Sequence, residues 1–72
     1  MNDFSWALQE LKEGRWVTRK RKGSWHLFIR KYKWEGMETI DTQIMERRGS
    51  LAPKHWSPDQ DEILATDWLN LP

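Results

Sequence analysis

The sequence predicts a small α+β domain with an N-terminal helix, a small antiparallel sheet, a short C-terminal helix and a closing edge strand. Three observations support this fold class. An apolar stripe with helical spacing opens the chain, an alternating strand pattern occupies its middle, and helix-start residues precede a last β-prone segment. Because 72 residues have room for one hydrophobic core, we expect residues 1–72 to form a single domain.

The first predicted helix has apolar residues at positions i, i+3, i+4 and i+7, namely Phe4, Ala7, Leu8 and Leu11. Asp3 or Ser5 can cap its start through a side-chain oxygen. Gly14 is placed to end it in a left-handed conformation.

The clearest strand pattern covers residues 24–32. It follows a short β-prone run at residues 15–19 and a basic cluster at residues 19–23, which we interpret as an exposed turn. Alternation puts Trp25, Leu27 and Ile29 on one face of the strand. The other face carries His26, Phe28, Arg30 and Tyr32.

This second face holds two aromatic side chains, which a solvated face would not usually carry. We expect another element, a ligand or another subunit to cover it, and we favour a subunit interface. The predicted interface also includes one residue of the charged loop at residues 33–38; its members are His26, Phe28, Arg30, Tyr32 and Trp34.

The second half of the chain predicts further strands and a short helix. Residues 39–47 favour one or two short strands, and residues 48–49 a hairpin turn that leads into residues 50–52. Ser57 is a natural N-cap, Pro58 suits the first helical position and Gln60 completes a capping box. After a short helix through residues 63–65, residues 67–69 should return as an edge strand, with Trp68 closing the core.

Composition and motifs favour a binding protein over an enzyme. No nucleophile, paired carboxylates or glycine-rich phosphate loop occurs at a catalytic spacing. With two histidines and no cysteine, a structural zinc site is not expected either. We therefore predict neither a metal nor a cofactor. The six tryptophans can help a small core and also point to oligomerisation.

Charge is divided unevenly along the chain. Residues 1–36 carry nine Lys/Arg against four Asp/Glu, a balance of +5, whereas residues 37–72 carry three against seven, a balance of −4. This division can steer an anionic ligand to one face or let identical subunits dock. No run approaches the roughly 20 apolar residues of a membrane span, so we expect no membrane partner and a cytoplasmic location.

Both ends of the chain carry recognisable motifs. The opening one is Phe4-x-x-Ala7-Leu8-x-x-Leu11-Lys12-x-Gly14-x-x-Val17-x-Arg19, and the closing one is Trp56-x-Pro58-x-x-Asp61-x-x-Leu64-Ala65-x-Asp67-Trp68. The chain thereby resembles the type 2 Thoeris anti-defence family of small phage proteins. The closing motif is the more specific of the two.

The resemblance implies a non-catalytic protein that assembles as a tetramer in the host bacterial cytoplasm. Members of the family bind nucleotide second messengers made by bacterial defence enzymes, and so keep the downstream effector inactive. Their ligand classes include cyclic ADP-ribose isomers, conjugated ADP-ribose and cyclic dinucleotides.

Four residues are candidates for the ligand site. Trp25 and Trp56 lie beside turn residues and can stack on bases, although burial in the core is an equal alternative for each; the family match at Trp56 favours the site. Arg19 can hold a phosphate through its planar guanidinium. Asp61 can accept hydrogen bonds from a base or a ribose, although helix capping is as good an explanation.

Two other functions remain open on the sequence. The chain could inhibit a bacterial defence protein directly, such as a CRISPR nuclease, by using its acidic half and exposed tryptophans as a contact surface. It could also bind nucleic acid through residues 19–22. We rank nucleic acid last as a partner, because the acidic second half opposes wrapping along a polyanion.

Overall fold

The computed structural model describes residues 2–20, 23–33, 35–36 and 38–71. In chain order its elements are α1 (Phe4–Lys12), β1 (Val17–Arg19), β2 (Trp25–Tyr32), β3 (Asp41–Arg48), β4 (Lys54–His55), α2 (Gln60–Leu64) and β5 (Trp68–Asn70). The strands form one antiparallel sheet in the order β4-β3-β2-β1-β5. The predicted α+β class is confirmed, and β5 lies at the sheet edge as expected.

The ends of α1 follow the predicted capping residues. The side chain of Asp3 accepts a hydrogen bond from the Trp6 backbone N–H, which satisfies one of the donors left open in the first turn. Gly14 has a φ of +86°, a conformation that costs glycine little and other residues more. The backbone therefore turns away from the helix axis at Gly14, two residues after the end of α1, and reaches β1 at Val17.

The sheet is built around the β2–β3 hairpin. The two strands pair from Trp25 opposite Arg48 to Tyr32 opposite Asp41, so β3 is one continuous strand. It begins two residues later than predicted and leaves Ile40 outside. The second pairing of β3 is with β4, whereas the sequence had suggested residues 50–52 for the strand after the turn.

The core lies between α1 and one face of the sheet, which we call the inner face. Its buried residues are Ala7, Leu11, Val17, Trp25, Leu27 and Trp68. Full burial of Trp68 confirms that it closes the core. Because burying a large apolar side chain contributes about 1.5–3 kcal/mol, these few residues supply much of the driving force for folding.

The start of α2 corrects the predicted cap. The helix begins at Gln60, and its N-cap is Asp59, whose side chain accepts a hydrogen bond from the Glu62 backbone N–H. Ser57 is therefore not the cap. A single sequence offers both residues as caps, and Asp59 lies three residues before the amide that it satisfies. Neither helix of the described ranges has the length and apolar composition needed to cross a membrane.

Candidate functional site

A surface cleft of about 700 Å³ opens where β1, β5 and the segment after α2 meet. Backbone pairing holds its walls together. The Lys20 N–H donates to the Asp67 carbonyl at 3.1 Å, and the Trp68 N–H donates to the Asn2 carbonyl at 3.2 Å. Asn2 also donates from its side-chain amide to the Trp68 carbonyl at 3.1 Å. Backbone hydrogen bonds thus join the β1 end, the N-terminal segment and β5 along the cleft, while residues 65–66 of the segment after α2 complete its lining.

Arg19 lines this cleft and holds two carboxylates. Its Nε donates to Asp67 Oδ1 at 2.8 Å, and its Nη1 donates to Glu62 Oε2 at 3.1 Å. The Arg19 side chain is 19% exposed and that of Glu62 is 7% exposed. We call these three residues the Arg19 network. It joins β1 to α2 and to the segment that leads into β5.

The electrostatics of the network favour the charged form of Arg19. The hydrogen bond to Asp67 is the largest influence and raises the pKa of the guanidinium above its ordinary value, although partial burial opposes it. Arg19 is consequently a fixed cation with a defined orientation.

This environment corrects the interpretation of residues 19–23 as an exposed turn. Arg19 is the last residue of β1 and its side chain is largely covered, whereas the turn begins at the exposed Lys20. Charge density alone suggested a solvated run, because the carboxylate partners of Arg19 lie more than 40 residues away in the chain.

The two tryptophans proposed for base stacking lie together on the inner face. The ring centroids of Trp25 and Trp56 are 6.3 Å apart, and both rings contact Trp68, at 6.0 and 6.4 Å. Trp25 is only 3% exposed, whereas Trp56 is partly buried. Trp68 is also the strand partner of Arg19 and lines the cleft, whereas Trp25 and Trp56 do not line it. Stacking of either ring on a base stays a prediction.

Asp61 lies in the first turn of α2 and is exposed. It forms no hydrogen bond or ion pair with another described residue, and it does not cap the helix, because Asp59 does. Its predicted role in ligand binding remains open to experiment.

The opposite face of the sheet, which we call the outer face, carries a second aromatic group. Trp16 stacks on His26 with ring centroids 4.6 Å apart and planes inclined by 10°, and Phe28 lies 5.8 Å from both rings. Trp16 keeps 49% of its surface exposed. This contact was missed, although alternation from Val17 in β1 would have placed Trp16 on the same face as His26.

Buried polar atoms on the outer face lack partners among the described residues. They are His26 Nε2 and Gln43 Oε1. Burial lowers the pKa of His26 below its ordinary value, and the positive charge of Arg47 on the neighbouring strand adds to this effect. No described helix packs on this face.

Four of the five predicted interface residues are on the outer face: His26, Phe28, Arg30 and Tyr32. The fifth, Trp34, lies outside the described residues. Their common face confirms the predicted alternation of β2. Their contact with another subunit stays a prediction. No pattern in the sequence pointed to Glu62 as a partner of Arg19, since a glutamate in the first turn of a helix is explained by the helix dipole alone.

Fold and site together define a class of small α+β domain with a cation-bearing cleft at one sheet edge and an aromatic outer face. No group of three or more metal-binding side chains occurs in the described part of the chain. The family model of the Thoeris anti-defense 2-like domain matches residues 2–70. The chain belongs to this family, which implies a Thoeris anti-defence role. No curated protein matches the chain at a significant level.

The Arg19 network predicts a large stability cost for Arg19→Met. This change leaves the buried Glu62 and the partly exposed Asp67 without their guanidinium partner, and we expect the free energy of unfolding to fall by about 2–4 kcal/mol in urea titrations. Arg15→Met is the matched control, because Arg15 also contacts two carboxylates, those of Glu10 and Glu13, but is 54% exposed. Its loss should be much smaller. Equal losses of unfolding free energy in Arg19→Met and Arg15→Met would contradict the special importance of the Arg19 network for stability.

The lowered pKa of His26 predicts a specific loss of stability in acid. The unfolded chain takes up a proton on His26 near the ordinary pKa, and the folded chain does so only at lower pH. The stabilisation is therefore present above the ordinary pKa and lost as pH falls through the folded value. Between about pH 7.5 and about pH 5.5, the melting temperature of the wild type should fall further than that of His26→Gln. His55→Gln, at an exposed position, should behave as the wild type; the same pH response in all three proteins would refute the prediction.

Proposed function

We propose that this protein is a phage anti-defence protein that binds and sequesters a nucleotide immune signal without turnover. The signal would be a cyclic or conjugated ADP-ribose or a cyclic dinucleotide. The cleft beside Arg19 is the observation that carries the proposal, and family membership supports it. Sequestration in the host cytoplasm would then keep the Thoeris effector inactive.

The dimensions and lining of the cleft suit a nucleotide. Its volume of about 700 Å³ lies within the range of about 300–1,000 Å³ typical of small-molecule sites. Apolar side chains such as Leu64 and Leu69 line it together with Thr66 and the cation Lys20. A ligand with a flat base, ribose hydroxyls and phosphates needs this mixture of surfaces.

Arg19 and Lys20 can each contact a phosphate, in different ways. Arg19 is oriented by its carboxylates, and its Nη2 has no hydrogen-bond partner among the described residues, so that this amino group can donate to a phosphate oxygen. Lys20 is exposed and can follow the ligand as a mobile point charge.

Aromatic stacking would come first from Trp56. Its ring is partly exposed, whereas Trp25 lies behind it at 3% exposure and would have to be uncovered before it could stack on a base. Asp61 and Trp56 do not line the cleft, so we propose that the ligand extends beyond it and that the exposed Asp61 accepts a hydrogen bond from its base or ribose hydroxyl. Stacking of one base on an aromatic ring contributes about 1–3 kcal/mol.

Isothermal titration with the three ligand classes tests this function. We expect at least one class to bind with a Kd at or below about 1 µM, and we expect mass spectrometry after heat release to recover that ligand intact. Lys20→Ala should weaken binding by about three- to tenfold through loss of one phosphate contact. Lys54→Ala is the matched control, because Lys54 is exposed beside Glu46 on β3.

Two results would contradict the proposal. One is no binding of any class at micromolar protein. The other is release of a chemically altered nucleotide, which would indicate turnover. If the protein instead co-purified with a defence protein and removed no small-molecule signal from a cell extract, direct inhibition of that protein would be the better account.

We further propose that identical subunits associate through the outer face. The partly exposed ring of Trp16 and the buried polar atoms of His26 and Gln43 support a partner that covers this face and supplies hydrogen bonds. Phe28 would lie near the centre of the contact and Arg30 and Tyr32 toward its end, beside the predicted contribution of Trp34.

Sedimentation velocity tests the outer-face assembly. The wild type should sediment as more than one copy at micromolar concentration, with a tetramer expected from the family. Phe28→Glu should shift it toward monomer, because a charge would be buried in the contact. Ile40→Glu, at a position 59% exposed outside the sheet, should not. A monomeric wild type, or a Phe28→Glu variant that is folded by circular dichroism and unchanged in size, would refute this arrangement.

A further inference from the structure

The carboxylates of the Arg19 network share the cation that a phosphate would use. A guanidinium offers five donors, and here Glu62 and Asp67 each accept one from Arg19, at 3.1 and 2.8 Å. Asp67 lines the cleft itself, while Glu62 is buried and acts through Arg19. Any phosphate that reaches Arg19 therefore approaches these two carboxylates as well as the positive charges of Arg19 and Lys20.

The cost of this approach depends on the charge of the phosphate. A phosphate in a diester or an internal pyrophosphate linkage carries about one negative charge per phosphorus, whereas a terminal phosphate, in a monoester or at the end of a pyrophosphate, carries about −1.5 to −2 at pH 7. Repulsion from nearby carboxylates grows with that charge, and such repulsion is an effective way to reject a competing ligand.

We propose that Glu62 and Asp67 make the cleft selective for nucleotides without a terminal phosphate. Asp67 is the specificity-determining residue at the cleft, and Glu62 is a positioning residue that holds the Arg19 guanidinium. The inference rests on the proposed function, because it requires that the cleft bind a nucleotide. It gives the site a means of rejecting ADP and ATP, which share the base and ribose of an adenine-containing signal.

Two pairs of probes differ within each pair by the presence of a terminal phosphate. Cyclic di-GMP and its linear product pGpG differ by the opening of one phosphodiester, which leaves a terminal phosphate. ADP-ribose and ADP differ by whether the β-phosphate is esterified. For a pair that binds, the wild type should favour the ligand without a terminal phosphate by about tenfold or more in Kd.

Neutral variants should remove this preference. In Glu62→Gln and Asp67→Asn, the affinity for pGpG or ADP should rise and the ratio within the pair should fall to about threefold or less. Glu46→Gln is the matched control, because Glu46 is an acidic residue of β3 paired with Lys54 and does not line this cleft; it should keep the wild-type ratio.

A titration of the ligand gives a second test that needs no variant. Lowering the pH from about 7.5 to about 5.5 protonates the terminal phosphate, whose last pKa is about 6, to a monoanion, while a phosphate esterified on both sides keeps its charge. The wild-type ratio should therefore shrink in acid. An equal affinity for both members of each binding pair overturns the inference, as does a ratio that neither acid nor a folded neutral variant changes. If cyclic di-GMP, the ADP-ribose isomers and the conjugates all fail to bind, the proposed function falls first.

Discussion

The arrangement of the cleft depends on the ion network around Arg19. One guanidinium at the end of β1 holds Glu62 of α2 and Asp67 of the segment before β5. These elements have few apolar residues between them, since α2 contains only five residues and leaves Leu64 at 69% exposure. A partly buried cation with two carboxylates supplies the orientation that packing does not. Breaking it would leave charges in a poorly solvated place, which is why the network constrains the local structure so strongly.

The two faces of the sheet have different roles: the inner face forms the core, and the outer face is the proposed contact surface. The inner face packs Trp25, Trp68 and the apolar stripe of α1 into one core, and Trp56 covers the rim of that core. The outer face presents Trp16 stacked on a buried His26. Small chains bury little apolar area, and an exposed aromatic group on one sheet face is typical of an interaction surface. Tryptophans thus serve the core on one side and a proposed contact on the other.

Local patterns predicted the parts of the fold that depend on near neighbours in the chain. The stripe of α1, the left-handed Gly14 and the two faces of β2 follow from spacing and backbone preference, and all three are confirmed. The N-cap of α2 was wrong because Ser57 and Asp59 are both good caps and only tertiary packing decides between them. The partners of Arg19 could not be predicted, since β1 meets α2 and β5 only after the whole sheet has formed. Trp25 could be placed on a face, but the sequence did not show that the other tryptophans would cover it.

The central claim is that the cleft beside Arg19 holds a nucleotide signal. Backbone and arginine side-chain NMR during titration with cyclic ADP-ribose isomers, conjugated ADP-ribose and cyclic dinucleotides tests it most directly. We predict that one class shifts the Arg19 Nε–H and the amides of Lys20, Thr66 and Asp67, while those of His26 and Phe28 on the outer face move little. Saturable shifts confined to the outer face, with the Arg19 signal unchanged, would contradict the account.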